Sequence, residues 1–274
     1  MKIVTARNNA ALKLAHKLKT KNGRDKEGAF LIEGVKLVDE AHNAGLIISH
    51  VFVRVGTKMI GLLEDNDIND RLVIELTDNL FDELATTVTP QPIIAIVKKK
   101  KEAESYEKVI ETIISSEKSK SSKVRTIILD RLGDPGNVGT IIRTAFAAGF
   151  DFIITIKGTT DIYSDKVIRS AAGSVFHIPI LQGLTEEECL KLLKKYDINL
   201  LVCSAEGDNI YDTDISGDKA ILIGNEANGP GKVFFENAEK TIAIPMEEKA
   251  ESLNAAIAAA IVIYEKRRQD ENPR

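Results

Sequence analysis

The stretch that decides the fold is Val124-Arg-Thr-Ile-Ile-Leu-Asp-Arg-Leu-Gly-Asp-Pro-Gly-Asn-Val-Gly139. An apolar run typical of a buried β-strand ends at Leu129, and a polar loop rich in glycine follows it. From Val138 to Gly149, apolar residues recur at the spacing of one helix face. A strand, a loop and a helix in this order form the repeating unit of an α/β domain.

The same alternation continues toward the C-terminus. We predict strands at 124–129, 152–156, 200–203, 220–223 and 241–244, and helices at 138–148, 186–195 and 252–268. This order favours a parallel sheet, in which ligands bind at the loops after the carboxyl ends of the strands.

The N-terminal half gives weaker signals. Helices are predicted at 9–18 and 34–43 and β-type runs at 46–55 and 93–97, while 115–123 is polar and low in complexity, preceded by a short possible helix at 106–114. We therefore predict an α/β domain at 1–100, a linker at 101–123 and the parallel-sheet domain at 124–274.

Composition limits the class of protein. The 274 residues suffice for two domains, and the two cysteines and four histidines show no metal-ligand spacing. The longest nearly unbroken apolar run, 255–264, is too short to span a bilayer, and the N-terminus lacks the apolar core of a signal peptide. We expect a cytoplasmic protein that has no metal ion and no membrane association.

Charge is segregated along the chain although its formal total is only −4. Residues 1–36 contain nine Lys or Arg and three acids, whereas residues 61–84 contain eight acids and one Arg. A basic arm on an acidic protein can contact phosphates. Lys13, Lys17 and Lys21 are its candidates, although they could equally form a solvated helix face.

The loop and helix after the first strand contain two candidate site residues. Asn137 stands where it could cap the helix. Arg143 points away from the apolar stripe, and Gly139 and Ala147 leave space around it for a phosphate backbone, although a plain exposed arginine would look the same.

Two nucleotide-binding motifs are excluded. Gly133, Gly136 and Gly139 do not have the Gly-x-Gly-x-x-Gly spacing of a dinucleotide site. The run from Gly224 has P-loop glycine spacing, but Pro230 stands where the lysine is required.

Two further motifs could bind an uncharged adenosyl group through the backbone. In the motif that begins Gly224-Asn225-Glu226, Gly224 and Gly229 permit tight turns and close approach of the main chain. Ile244-Pro245-Met246 forms a stiff apolar turn with carbonyls available for adenine. In the later motif Ser252-Leu253-Asn254, Ser252 could be only an N-cap and Asn254 only a polar residue of the first helical turn.

The order of these motifs resembles the signature of the SpoU (TrmH-like) branch of the SPOUT methyltransferases. The resemblance implies S-adenosylmethionine as cofactor, a homodimer, and a parallel-sheet domain with a deep trefoil knot. It also implies two sets of site residues. The backbone of Gly224, Ile244 and Leu253, with Pro245 and Met246 in the same turn, would hold the cofactor, and the polar residues would be Asn137, Arg143, Glu226, Ser252 and Asn254.

The N-terminal half resembles the substrate-binding domain found in front of many SpoU enzymes, which is similar to small ribosomal RNA-binding proteins. The matching residues are Arg24, Phe30-Leu31-Ile32-Glu33-Gly34 and Asp39-Glu40-Ala41. Arg24 therefore joins the three lysines as a candidate RNA contact. Ala227, Pro230 and Glu248 depart from the usual residues of the family.

The resemblance thus implies an RNA 2′-O-ribose methyltransferase, which we expect to act on ribosomal RNA. Transfer RNA as substrate, an enzyme of antibiotic resistance that modifies ribosomal RNA, and a non-catalytic RNA-binding or ribosome-assembly protein are the alternatives. The family assigns help with proton removal to the residue matching Arg143. Arginine is almost always charged in proteins, so Arg143 is either a perturbed base or a charged group that orients a phosphate and stabilises the alkoxide.

Overall fold

The chain forms two compact units. The computed structural model describes residues 2–57, 70–100, 106–119, 123–247 and 249–272. Unit 1 comprises Met1–Ala103 together with Tyr163–Phe176, and unit 2 comprises Glu104–Ile162 and His177–Arg274.

The strands and helices alternate through most of the described chain. The strands are β1 (Lys2–Val4), β2 (Ala29–Glu33), β3 (Ile48–Arg54), β4 (Val73–Leu76), β5 (Ile93–Lys98), β6 (Arg125–Leu129), β7 (Phe152–Ile156), β8 (Ile180–Leu184), β9 (Asn199–Asn209), β10 (Lys219–Ile223) and β11 (Lys240–Ala243). The α-helices are α1 (Ala10–Leu18), α2 (Lys21–Glu27), α3 (Val35–Asn43), α4 (Asp78–Leu84), α5 (Tyr106–Ser119), α6 (Pro135–Ala147), α7 (Asp165–Ser170), α8 (Glu186–Tyr196), α9 (Lys232–Glu236) and α10 (Ala255–Glu271).

Unit 1 is built on a mixed five-stranded sheet in the order β1-β4-β3-β5-β2. On one face, Leu12 of α1 and Phe81 of α4 share a buried cluster with Phe52 of β3. Phe30 of β2 stacks instead on Tyr163 and Phe176, with ring centroids 4.8 and 5.9 Å away. All five residues of β2 are buried, which explains why its first four residues form a continuous apolar run rather than an alternating pattern.

Unit 2 contains the predicted parallel sheet. Its order is β11-β9-β10-β6-β7-β8, and every pairing is parallel. The central strands β6, β7 and β10 are buried almost throughout, as expected for a parallel sheet covered on both faces. The α/β class and the parallel sheet are therefore confirmed.

The predicted linker requires a correction. Residues 106–119 form α5, and its Ile110 and Ile114 are buried in the core of unit 2 beside Ile128 and Phe152. The short helix predicted at 106–114 is present and extends to Ser119. Its polar composition concealed the packing, because its apolar residues are few and lie on one face. Residues 101–105 and 120–122 of the predicted linker lie outside the described residues.

Candidate functional site

A row of hydrogen bonds joins the three sequence motifs. Asn137 Nδ2 donates to Glu226 Oε1 over 3.0 Å, and Asn254 Nδ2 donates to Asn137 Oδ1 over 3.0 Å. These side chains follow β6, β10 and β11 respectively. The carboxyl ends of parallel strands lie at one edge of a sheet, so the fold brings together residues that are 117 positions apart.

Asn137 is placed by a capping residue that differs from the prediction. The N-cap of α6 is Asp134, whose Oδ1 accepts from Asn137 N–H over 2.9 Å, and Pro135 is the first helical residue. The interpretation of Asn137 as the cap is therefore wrong. Because Asp134 satisfies the helix N-terminus, the side chain of Asn137 is left to bridge the two other motifs.

Asn254 is the N-cap of α10, so the interpretation of Ser252 as the cap and of Asn254 as a first-turn residue is also corrected. Asn254 Oδ1 accepts from Ala256 N–H at 2.9 Å and from Ile257 N–H at 3.3 Å. Its Nδ2 is therefore the group that faces Asn137. Ser252 lies two residues before the cap and is exposed.

Glu226 is held as an acceptor at the end of the row. Burial raises the pKa of its carboxyl, but hydrogen bonds from Asn137 and from the N–H groups of Glu226, Gly133 and Asp134 outweigh this effect, and the net pKa lies below its ordinary value. A carboxylate only accepts hydrogen bonds. The orientation of both asparagine amides follows, since Asn137 must direct its NH₂ toward Glu226 and its oxygen toward Asn254.

Arg143 lies apart from this row. It is exposed on α6, six residues beyond Asn137, or about 9 Å along the helix axis. Its guanidinium makes no hydrogen bond or ion pair with any residue that the structure describes. The predicted orientation away from the apolar stripe is confirmed, and the charge is accessible to a ligand.

The Gly224 loop is folded tightly on itself. A Cβ at Gly224 would lie 2.3 Å from Pro230 N, closer than a real Cβ approaches any atom. Gly229 has φ +66°, and its N–H donates to Asn225 O over 2.9 Å. Both glycines are thus required by the tight turn of the loop itself, which is one of the two roles expected for them from the sequence.

The turn after β11 offers free backbone groups. Ile244 and Met246 are half-buried, Pro245 is exposed, and Leu253 is 37 % exposed. The backbones of Ile244, Met246 and Leu253 form no backbone–backbone hydrogen bond with another described residue. Their polar groups are therefore available to a ligand. Glu248, the predicted departure from the family pattern, lies outside the described residues.

Two residues at the start of the loop after β6, Asp130 and Arg131, were not predicted from the sequence to be site residues. A cleft of about 340 Å³ is lined by Arg131, Asn225, Asn228, Gly229, Pro230, Gly231 and Lys232. Asp130 is fully buried and follows β6 directly. A buried carboxylate at the end of a central strand is the signal that could have singled it out.

The four candidate RNA-binding residues of unit 1 fall into two groups. Lys13, Lys17 and Lys21 are exposed, and Lys17 pairs with Glu27 over 3.1 Å. Arg24 is only 8 % exposed, and its NH1 donates to the carbonyls of Leu18 and Lys19 over 2.9 and 3.1 Å. This corrects the grouping of Arg24 with the lysines, because its guanidinium is held by the end of α1.

Two kinds of feature are absent from the part of the chain that the structure describes. No cluster of three or more His, Cys, Asp or Glu side chains could hold a metal ion there. None of its helices combines the length and the apolar composition that a bilayer span requires.

Comparison with known proteins defines the class. A model described as the SpoU rRNA Methylase family matches residues 125–264, and one described as the MRM3-like substrate binding domain matches residues 9–95. The chain therefore belongs to the SpoU rRNA methylase family.

Individual relatives cover nearly the whole chain. The 23S rRNA (guanosine(2553)-2'-O)-methyltransferase RlmP of Bacillus subtilis is 32 % identical over 275 residues, covering 96 % of this chain and 98 % of that protein. The SpoU methyltransferase AviRb of Streptomyces viridochromogenes, solved with AdoMet, is 26 % identical with a TM-score of 0.83, covering 97 % of this chain and 100 % of that one. An AdoMet-bound rRNA methyltransferase of Sinorhizobium meliloti is 29 % identical with a TM-score of 0.79, covering 98 % of each chain.

Proposed function

We propose that this protein transfers a methyl group from S-adenosylmethionine to a ribose 2′-hydroxyl of ribosomal RNA. The observation that carries the proposal is the hydrogen-bonded row of Glu226, Asn137 and Asn254, which unites all three family motifs at one edge of a parallel sheet. A relative that matches over nearly its full length and is named as a 23S rRNA 2'-O-methyltransferase supports the same reaction and the same class of RNA.

The residues present fit the cofactor. The unpaired backbone groups of Ile244, Met246 and Leu253 can hydrogen-bond to an adenosyl group, and Pro245 stiffens the same turn. Gly224 allows the neighbouring loop to fold tightly beside them. S-adenosylmethionine supplies an activated methyl group when bound, so the protein has to align the ribose oxygen and assist loss of its proton.

The polar residues would perform that second task. Glu226, Asn137 and Asn254 hold one another in fixed orientations, and Ser252 is exposed beside them as a further polar group. Arg143 projects an accessible guanidinium, which either assists removal of the hydroxyl proton as a base or, while charged, orients a phosphate and stabilises the alkoxide. Both versions require the same exposed position.

Unit 1 would bind the RNA. Its match to a substrate-binding domain supports this role, as do the exposed side chains of Lys13, Lys17 and Lys21. Lysines contact phosphates without reading base sequence, so these three would position the RNA rather than select the nucleotide.

A homodimer and a C-terminal trefoil knot complete the proposal. Ile257 and Tyr264 on α10 are 54 % and 50 % exposed, and Phe146 on α6 is 43 % exposed. Large apolar side chains on two packed helices are suited to pack against a second copy of the chain.

The knot has separate support. Insertion of β10 between β9 and β6, together with the packing of α10 on α6, is consistent with the knot of the family.

Incubation with labelled S-adenosylmethionine and total RNA tests the reaction. Label should enter 23S rRNA, and the linkage after the methylated nucleotide should resist alkali because its 2′-hydroxyl is blocked. A DNA oligonucleotide of matched sequence should remain unlabelled, since it has no 2′-hydroxyl. Label on a base, on DNA or on protein would refute the reaction, and label confined to transfer RNA would refute the substrate.

A further inference from the structure

Arg131 has an unusual backbone conformation at the junction of three loops. Its φ is +56°, in the left-handed region that residues other than glycine seldom adopt. Such conformations persist only where the surroundings hold them, and they concentrate at functional sites. Arg131 directly follows Asp130 in the loop that leads from β6 to Asn137.

The backbone of Arg131 is held on both sides. Its N–H donates to Thr159 Oγ1 over 3.1 Å, and its carbonyl accepts from Asn225 Nδ2 over 2.8 Å. The Thr159 hydroxyl donates in turn to Leu129 O over 2.9 Å. Thr159 therefore clamps the two ends of the turn between the last residue of β6 and Arg131.

The guanidinium of Arg131 adds a second anchor. Arg131 Nε and NH2 donate to the two oxygens of buried Asp130 over 2.7 and 2.9 Å. Asp130 Oδ2 also accepts from Gly231 N–H over 2.9 Å, and Glu186 lies 3.1 Å from Arg131 NH2. The hydrogen bond to Asp130 raises the pKa of Arg131, so the guanidinium stays charged.

These bonds fix the two loops that carry Asn137 and Glu226. Asn225 immediately precedes Glu226, and Arg131 stands six residues before Asn137. Thr160 N–H adds a bond to Leu132 O over 3.0 Å. The relative position of the two loops thus depends on the junction at Arg131, and displacement of a catalytic group by about 1 Å can cost about 100-fold in rate.

We propose that Thr159 and Arg131 are positioning residues for methyl transfer: they set the relative position of the loops that carry Asn137 and Glu226. This proposal rests on the proposed function for its kinetic consequence. Neither residue needs to contact the RNA or the cofactor. The Thr159 hydroxyl is the part that can be removed with the least change of shape.

The test compares three variants of the full-length protein. Thr159→Val removes the hydroxyl at nearly constant volume, Thr159→Ser retains it, and Thr160→Val is the matched control, because Thr160 uses only its backbone N–H in this junction. Hydrogen exchange measured by mass spectrometry over residues 130–137 reports the loop whether or not the protein is active. Methyl transfer is measured in parallel as kcat and KM.

Thr159→Val should raise exchange at Arg131 and lower kcat by about tenfold or more, with KM for cofactor and RNA within about threefold. Thr159→Ser should recover at least half of the wild-type kcat, and Thr160→Val should match the wild type. Unchanged exchange, or equal losses in Thr159→Val and Thr160→Val, would overturn the proposal. An inactive wild type with the expected exchange pattern would instead refute the proposed function and leave the junction established.

Discussion

At the scale of single residues, Asp134 shows that a helix start can be encoded locally. An acid followed by proline is a strong helix start, since Asp caps and Pro occupies the first turn. The prediction that placed the cap at Asn137 began α6 three residues late. In contrast, the partners of Asn137 follow from three separate strand ends, and no local pattern contains that information.

Substitution of Arg143 tests the division of labour within the site. Arg143→Ala should lower methyl transfer by about 100-fold or more, as expected when one group that stabilises charge or transfers a proton is lost. Cofactor affinity, measured by calorimetric titration, should stay within about threefold, because the cofactor contacts are assigned to backbone groups elsewhere.

The control for Arg143 is Thr140→Ala, an exposed position one turn earlier on the same helix. It should leave both the rate and the cofactor affinity unchanged. Loss of cofactor affinity in Arg143→Ala would show that the guanidinium, rather than the backbone of the later motifs, holds the cofactor.

At the scale of elements, the sequence predicted what periodicity can encode. The strand at Phe152–Ile156 was predicted with its observed bounds, because its residues are β-branched or aromatic and a glycine and an aspartate lie just before them. Strand β9 was predicted to end at Cys203 but continues to Asn209. Its pairing with β11 shifts register between Thr241 and Ile242, and an irregular pairing of this kind leaves no periodic signal.

Glu33 links the end of β2 to the loop after α4. It is 7 % exposed, and its carboxylate accepts from the N–H groups of Thr86 and Gln91 over 2.8 and 3.0 Å. The hydroxyls of Thr86 and Thr87 also donate to it. Burial raises the pKa of Glu33, but these hydrogen bonds outweigh burial and hold the pKa below the ordinary value of 4.5.

A depressed folded-state pKa makes this link depend on pH. Its contribution to stability is present above pH 4.5, the ordinary pKa, and is lost as pH falls through the folded-state pKa. Glu33→Gln should lower the free energy of unfolding by about 1–3 kcal/mol at pH 7. Urea titrations at several pH values should show this difference shrinking below pH 4.5.

The matched variant for this experiment is Glu27→Gln in the same unit. Glu27 forms a surface pair with Lys17, which is worth at most about 1 kcal/mol. A pH-independent difference between wild type and Glu33→Gln would show that the loop is not held by the ionised carboxylate.

At the scale of the whole molecule, the sequence predicted both the basic N-terminal segment and the C-terminal domain with its parallel sheet. Charge counting located Lys13, Lys17 and Lys21 because surface charge is a local property. It could not separate Arg24 from them, since burial depends on what packs against α2. The inclusion of Tyr163–Phe176 in unit 1 could not be predicted from the sequence either, because that segment lies between β7 and β8, two strands of unit 2.

The three lysines make a prediction about RNA affinity. Replacing all three with Gln should weaken RNA binding and reduce the slope of log affinity against log salt by about 2, since each phosphate that a lysine neutralises contributes somewhat less than one to that slope. Filter binding at several salt concentrations measures this slope.

The control variant replaces Lys191, Lys194 and Lys195, which are exposed on α8, with Gln. It removes equal charge and should leave the slope unchanged. An unaltered slope in the first variant would identify Lys13, Lys17 and Lys21 as a solvated face.

The stacking of Phe30 on Tyr163 and Phe176 constrains how such a gene can evolve. Recombination that exchanges only the first hundred codons between relatives would separate Phe30 from the rings with which it was selected. The N-terminal half therefore cannot be exchanged between relatives by itself. It has to be inherited together with the segment Tyr163–Phe176. A working chimaera would have to transplant Met1–Ala103 and Tyr163–Phe176 together.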